Sequence, residues 1–327
     1  MSELPAEFSL IARHFRPLAG LGALDLSDDA AVFTPPAGRE LVIAADAMVA
    51  GVHFLPNDPP DLVGRKLLRT NLSDMAAMGA TPFGYLMTVS APRDTPDAWF
   101  AGFAAGLAVD QVEFGVVLLG GDTTSTPGPI SLSLTILGSV APGEALRRVG
   151  AKPGYGIWVS GTIGDGALGL LAATGHLDDP LGLLADRYRL PRPRLGLATY
   201  GLVAACMDVS DGLVQDLGHL CRASGVSAEI EAGLVPLSDA ARMAGPCYLE
   251  RCLTGGDDYE LVMAVELERE VAFMRHASRV GVGVARIGHF AIGAPDVVVR
   301  RDNGEVLALT AGGWSHFGLA CRSRLAE

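Results

Sequence analysis

The chain has 327 residues, 49% of them hydrophobic and 6% aromatic, and carries a formal net charge of −12. Length and apolar content allow two domains of ordinary size. The acidic balance argues against nucleic acid as a partner, because a phosphate backbone rewards a basic surface, but phosphorylated small molecules stay open if metal ions intervene.

No apolar run reaches the ~18 residues that span a bilayer. The most hydrophobic stretch, 101–121, is interrupted by Asp110, Gln111 and Glu113. The N-terminal MSELPAEFSL shows no basic region followed by an apolar one, so a cytoplasmic protein without a membrane partner is expected. Cysteines stand at 206, 221, 247, 252 and 321 with no C-x-x-C, which reads as free thiols rather than zinc ligands or disulfides.

In chain order, residues 7–16 carry Phe8, Ile11, Ala12 and Phe15 at helical spacing. Strands are predicted at 41–45, 84–90, 115–119 and 130–140, the last alternating apolar and small polar residues. Helical patterns fill 60–79, opened by Pro-Pro-Asp, and 96–110. Around 141–156 the composition shifts to Gly, Pro and Arg, and a domain boundary is placed there. Beyond it come a strand at 156–160, a helix at 166–174, a strand at 204–208 and a helix at 212–224. A strand at 228–232, a helix at 238–244, a strand at 260–265 and a helix at 266–280 follow. A hairpin is expected last, with DVVVR and EVLAL flanking Asp302-Asn303-Gly304. The alternation of strands and helices implies layered α/β architecture in both halves.

Chemistry is carried by aspartates placed at predicted strand ends or helix mouths: Asp28 and Asp29 in SDDAAV, Asp46 after LVIAA, Asp74 in NLSDMAA, Asp122 in GGDTT, Asp208 and Asp211 in DVSDGL, Asp257 and Asp258 in GGDDYEL. Each alone also reads as a helix cap or turn residue. Brought together, so many carboxylates would repel one another unless divalent cations intervened. All-carboxylate sets without His or Cys clusters favour Mg²⁺, Mn²⁺ or Ca²⁺ over zinc. Mg²⁺ is commonly held by one or two carboxylates plus substrate phosphates, which points to a nucleoside triphosphate. No Gly-Lys dipeptide exists, so there is no phosphate loop of the Walker type, and no His-Arg-Asp catalytic loop. Gly164-Asp165-Gly166-Ala167-Leu168-Gly169 matches G-x-G-x-x-G, but no second strand precedes Asp186, and a packed helix start is the better reading. His53 alone reads as a packed or surface histidine, Trp314 as core or interface packing, and Arg147-Arg148 as a solvated turn or as groups that face a phosphate.

Ten segments in order, EFSLIARHF, SDDAAV, DAMVAGVHF, NLSDMAAMGA, GGDTT, GAKPG, SGTIGDGALGL, DVSDGL, GGDDYEL and GWSHFG, resemble the thiamine-monophosphate kinase family along nearly the whole chain. The wider superfamily includes aminoimidazole-ribonucleotide synthetase, selenophosphate synthetase and a hydrogenase maturation protein. GVHF and the terminal GWSHF favour the thiamine branch. The resemblance implies two α/β domains: 1–147, with a mixed sheet that forms a homodimer interface and binds ATP and Mg²⁺, and 148–327, which completes the active site. The implied reaction converts ATP and thiamine monophosphate to ADP and thiamine diphosphate by direct in-line transfer assisted by several Mg²⁺ ions, with no catalytic base.

Matching positions imply Asp29, Asp46, Asp74, Asp122, Asp208 and Asp211 as metal ligands, with Ala45 able to offer only its carbonyl. Gly121, Asp122, Arg148 and Ser210 would contact ATP, and His53, Asp257 and Trp314 thiamine monophosphate. The chain departs from the family pattern at Ala44 and Ala45, where Ser or Thr is usual, at Ser27 in place of Gly, and at Asp257 in place of Glu. Two other classes stay open on the residues alone: a superfamily enzyme that uses ATP to activate an amide or formyl oxygen, and a non-catalytic sensor of divalent cations or nucleotides.

Overall fold

The computed structural model describes residues 6–310 and 312–316. The GWSHFG segment is therefore described only through His316, and Cys321 lies outside the described residues. The chain divides into two units. Among the described residues the first comprises 6–75 and 81–143, and the second 76–80, 144–310 and 312–316.

The first unit opens with a short helix, α1 (Ala6–Leu10), that continues as a π turn over Ile11–Phe15 and a 3₁₀ turn over Arg16–Leu18. The predicted helix over 7–16 is thus broken in type, ending where Pro17 cannot supply an N–H. Strand β1 (Glu40–Val49), helix α2 (Pro60–Ala77), strand β2 (Thr81–Ala91), helix α3 (Asp97–Phe114), strand β3 (Val117–Ser125) and strand β4 (Ser131–Val140) follow. The sheet order is β1-β4-β2-β3. Only β2 and β3 are parallel, and α3 supplies the long crossover that such a pair requires. The mixed sheet expected for this half is present.

One sheet face buries Val42, Met48, Tyr85, Val89 and Leu134, while Leu41, Ile43 and Leu86 stay exposed on the other. Two helix–helix contacts are ionic rather than apolar. The fully buried Asp110 of α3 accepts from Arg65 Nε at 2.8 Å and from Arg69 Nε at 2.6 Å, both on α2.

The second unit contains strand β5 (Gly156–Ser160), helices α4 (Asp165–Ala173) and α5 (Leu183–Arg189), strand β6 (Ala205–Val209), helix α6 (Leu213–Ser224), strand β7 (Ser227–Glu231), helices α7 (Asp239–Ala244) and α8 (Leu249–Thr254), strand β8 (Glu260–Val265), helix α9 (Glu270–Arg279), and strands β9 (Val284–Ala291) and β10 (Val297–Arg300). Its sheet runs β10-β7-β9-β5-β8-β6. Every residue of β5, β6 and β8 is buried, as expected of strands covered on both faces. Leu213, Leu217 and Leu220 of α6 pack with Ile157, Met207 and Val262 on one side. Phe273 of α9 packs with Trp158, Cys206 and Met263 on the other. The result is the layered α/β arrangement read from the sequence.

The terminal hairpin forms, but its second arm is short. Gly304 N–H donates to the Arg301 carbonyl at 2.8 Å, Arg301 N–H to the Glu305 carbonyl at 2.8 Å and Leu307 N–H to the Val299 carbonyl at 2.8 Å, around an antiparallel bridge between Arg300 and Val306. The other edge of β10 pairs in parallel with β7.

Candidate functional site

In the second unit the site is built by register. Strands β6 and β8 are antiparallel, with Asp208 opposite Leu261 and Val209 opposite Glu260. The end of β6 therefore lies beside the start of β8, and the DVSDGL and GGDDYEL segments meet. Asp257 N–H donates to the Ser210 carbonyl at 2.9 Å, and Tyr259 N–H to the Val209 carbonyl at 2.8 Å. Trp314 N–H donates to the Asp211 carbonyl at 2.9 Å, and Gln215 Nε2 donates to the Trp314 carbonyl at 2.5 Å. Five sequence-predicted residues, Asp208, Ser210, Asp211, Asp257 and Trp314, are thus gathered on one loop system.

That loop has an internal organiser. Asp216, on the first turn of α6, points back so that Oδ2 accepts the N–H groups of Ser210 at 3.0 Å, Asp211 at 3.0 Å and Gly212 at 3.1 Å. Asp211 is therefore not the helix cap that its position before Gly-Leu-Val suggests; Asp216 does that work. Gly212 is required, at φ 121°, because a Cβ there would meet the Thr254 carbonyl oxygen at 2.5 Å. Burial, and then the charge of Asp208, push the Asp216 carboxyl up to about 8, with Asp211 adding to the rise and its backbone N–H groups opposing it. Burial and Asp208 likewise raise the Cys206 thiol. The donor set, carboxylates only, fits a hard cation such as Mg²⁺.

Asp257 and Tyr259 both adopt left-handed backbone, at φ 74° and 51°. Such residues cost about 1–3 kcal/mol each and persist where their surroundings over-determine them. Between them Asp258 is fully buried, and its carboxylate accepts the N–H groups of Gly164 at 2.7 Å and Gly166 at 2.9 Å. The glycine-rich start of α4 therefore holds the chain's own carboxylate rather than a dinucleotide phosphate. Burial pushes the Asp258 carboxyl well above the usual range, against the pull of those two N–H groups. Arg148, exposed, lies beside α6 through a hydrogen bond from Ser224 Oγ to its carbonyl at 3.1 Å.

In the first unit the predicted residues fall into separate groups. Asp28, Asp29, Gly121, Asp122, Thr88 and Thr135 help to line a cavity of about 730 Å³. Asp122 lies inside β3, not past its end, and pairs with Thr88. Asp46 likewise lies within β1, which runs on to Val49, rather than ending it. Strand alternation puts Asp46 on the side of Val42 and Met48, and Ala45 on the opposite side, where it pairs with Thr135 of the cavity wall.

Asp46 N–H donates to Asn71 Oδ1 at 3.1 Å, and Asn71 Nδ2 donates to the Leu67 carbonyl at 2.9 Å. Asp74, placed by the sequence at a helix mouth, stands three residues along α2 from Asn71, on the same helix face. His53 Nδ1 accepts Val49 N–H at 3.0 Å, and its carbonyl accepts the buried Lys66 Nζ at 2.9 Å. Asn71 and Asp216 escaped the sequence reading, and Asp258, one of its candidate aspartates, received no site role. A buried amide or carboxylate that serves the backbone carries no local pattern distinguishing it from one that serves a ligand. Among the described residues no three His, Cys, Asp or Glu side chains stand close enough to enclose a metal ion by themselves. An ion shared with phosphates and water requires no such cage.

Residues 27–140 match the family model for the AIR synthase related protein N-terminal domain, and residues 152–299 that for its C-terminal domain. The thiamine-monophosphate kinase of Caulobacter vibrioides is 48% identical over 299 residues, covering 88% of this chain and 85% of that protein. The chain belongs to the thiamine-monophosphate kinase family. Membership extends to the fold. The crystal structure of thiamine-monophosphate kinase from Stenotrophomonas maltophilia superposes with a TM-score of 0.81 at 38% identity, covering 92% of this chain and 98% of that one. A ThiL family structure complexed with AMPPCP and TMP superposes with a TM-score of 0.75 at 29% identity, covering 93% and 98%.

Proposed function

We propose that this chain uses ATP to phosphorylate thiamine monophosphate, releasing ADP and thiamine diphosphate. The observation that carries this reading is the 48% identity to a curated thiamine-monophosphate kinase along most of both chains. The relative solved with AMPPCP and TMP supports the pairing of substrates.

The chemistry needs no base. A phosphate monoester has a second pKa of about 6, so the acceptor is already largely dianionic at neutral pH. One of its oxygens attacks the γ-phosphorus of ATP, the bond from that phosphorus to the β,γ-bridging oxygen breaks, and ADP leaves with the electron pair. Positioning and charge neutralisation dominate such a transfer. Several Mg²⁺ ions would supply that neutralisation; Asp29, Asp46, Asp74 and Asp122 of the first unit, with the Ala45 carbonyl, and Asp208 and Asp211 of the second are the residues that would hold them. Gly121, Asp122, Arg148 and Ser210 contact ATP. Trp314 packs on the thiamine rings, and His53 and Asp257 complete the acceptor site.

A homodimer assembled through the sheet of the first unit belongs to the same reading, supported by the exposed Leu41, Ile43 and Leu86. No described helix is long and apolar enough to cross a membrane, and a cytoplasmic location is proposed. The test is ADP release with thiamine monophosphate, with and without Mg²⁺. Turnover only with both present is expected. Turnover with a different acceptor and none with thiamine monophosphate would overturn the reading.

A further inference from the structure

We propose that Asp258, anchored in the first turn of α4, is the positioning residue that sets Asp257 for thiamine monophosphate. The inference rests on the reading of Asp257 as a substrate contact.

Three consecutive residues carry it. Asp257 and Tyr259 hang from the end of β6 through their N–H groups, bonded to the carbonyls of Ser210 and Val209. The middle residue reaches the other way. Both carboxylate oxygens of Asp258 are committed, Oδ2 to Gly164 N–H and Oδ1 to Gly166 N–H, and its carbonyl accepts from Arg187 Nη2 at 3.3 Å. A residue fixed on that side forces its neighbours into the turn that the chain shows, left-handed at both Asp257 and Tyr259. Helix α4 also abuts the peptide of Asp257 directly. A Cβ on Gly166 would lie 2.3 Å from the carbonyl carbon and oxygen of Asp257. Both glycines of the Gly-x-Gly start thereby acquire a purpose: one N–H each for Asp258, and at Gly166 the room for Asp257. Beyond the bonds from Asp257 and Tyr259, the nucleotide side of the loop is held by the three N–H bonds to Asp216. Disturbing Asp258 therefore acts on thiamine monophosphate more than on ATP.

The measurement is steady-state kinetics on full-length Asp257→Ala, Asp258→Asn, the double variant and Gly166→Ala. Asn keeps the size of Asp258 but offers one acceptor oxygen where two N–H groups need one each. Expected are a rise of about ten-fold in KM for thiamine monophosphate in Asp258→Asn with KM for ATP within about two-fold, and a double variant no worse than Asp257→Ala alone. Gly166→Ala keeps the Asp258 carboxylate and pushes from the helix side on the peptide that joins Asp257 to Asp258, so it shows the same selective rise and carries the test if Asp258→Asn does not fold. Additive losses in the double variant, an equal rise in both KM values, or a lowered melting temperature with both KM values unchanged would overturn the positioning role. If Asp257→Ala itself leaves KM for thiamine monophosphate unchanged, the substrate reading of Asp257 fails, and this inference fails with it.

Discussion

The backbone N–H of Trp314 donates to the carbonyl oxygen of Asp211. This single bond pins the C-terminal tryptophan to the loop that carries the candidate metal and nucleotide residues of the second unit. Gln215 completes the clamp from the first turn of α6.

Trp314→Ala is expected to raise KM for thiamine monophosphate about ten-fold, since stacking of a cationic ring on indole contributes ~1–2 kcal/mol when desolvated. KM for ATP should stay within about two-fold, because the loop itself is held by Asp216. Unchanged affinity for thiamine monophosphate would remove the stacking role.

Asp122→Asn and Asp208→Asn are expected to abolish turnover while far-UV circular dichroism is retained. For Asp208→Asn the metal-free protein should also melt at a higher temperature, by the equivalent of about 1 kcal/mol. The substitution removes a negative charge that burdens the buried Asp216. A melting point that falls would mean that Asp208 supports the fold more than it strains it.

Asn71→Ala leaves the N–H of Asp46 without its acceptor in a partly buried strand. Loss of about 1–3 kcal/mol is expected, together with a weaker apparent affinity for Mg²⁺, because β1 would no longer be tied to α2 beside Asp74. Denaturant unfolding and Mg²⁺ titration of the initial rate separate the two effects. An unaltered Mg²⁺ dependence would confine Asn71 to a stabilising role.

Arg69→Met removes the guanidinium that gives Asp110 two bonds, from Nε at 2.6 Å and Nη2 at 3.0 Å. Asp110 would stay fully buried with only Arg65 as its cation. Breaking one partner of a buried pair costs about 3–5 kcal/mol, and the lower end applies here because Arg65 remains. Urea unfolding is the check. An effect under about 1 kcal/mol would show that Arg65 alone satisfies Asp110.

Much of the fold was legible locally. The runs over 156–160 and 260–265 coincide with β5 and β8 because continuous apolar residues bounded by turn signals leave little choice of boundary. The short helices α5 and α8 and the strand β9 were not legible. VARIGHFA mixes charge, glycine and apolar residues without clean alternation, and it is a strand because β5 and β7 flank it. The reading of 266–280 as one helix missed a 3₁₀ turn over Leu267–Arg269 ahead of α9.

By itself the sequence determined the chemistry: many aspartates beside small residues, few lysines, no phosphate loop, and an order of segments that a whole family shares. Only the tertiary structure decided which of the buried aspartates accept the chain's own backbone N–H groups. Asp208 and Asp216, or Asp257 and Asp258, are alike in type and neighbourhood. Antiparallel pairing of β6 with β8 and the approach of α4 and α6 turn Asp216 and Asp258 toward backbone N–H groups. Burial of a side chain is fixed by elements that arrive from far along the chain, and no local pattern records that arrival.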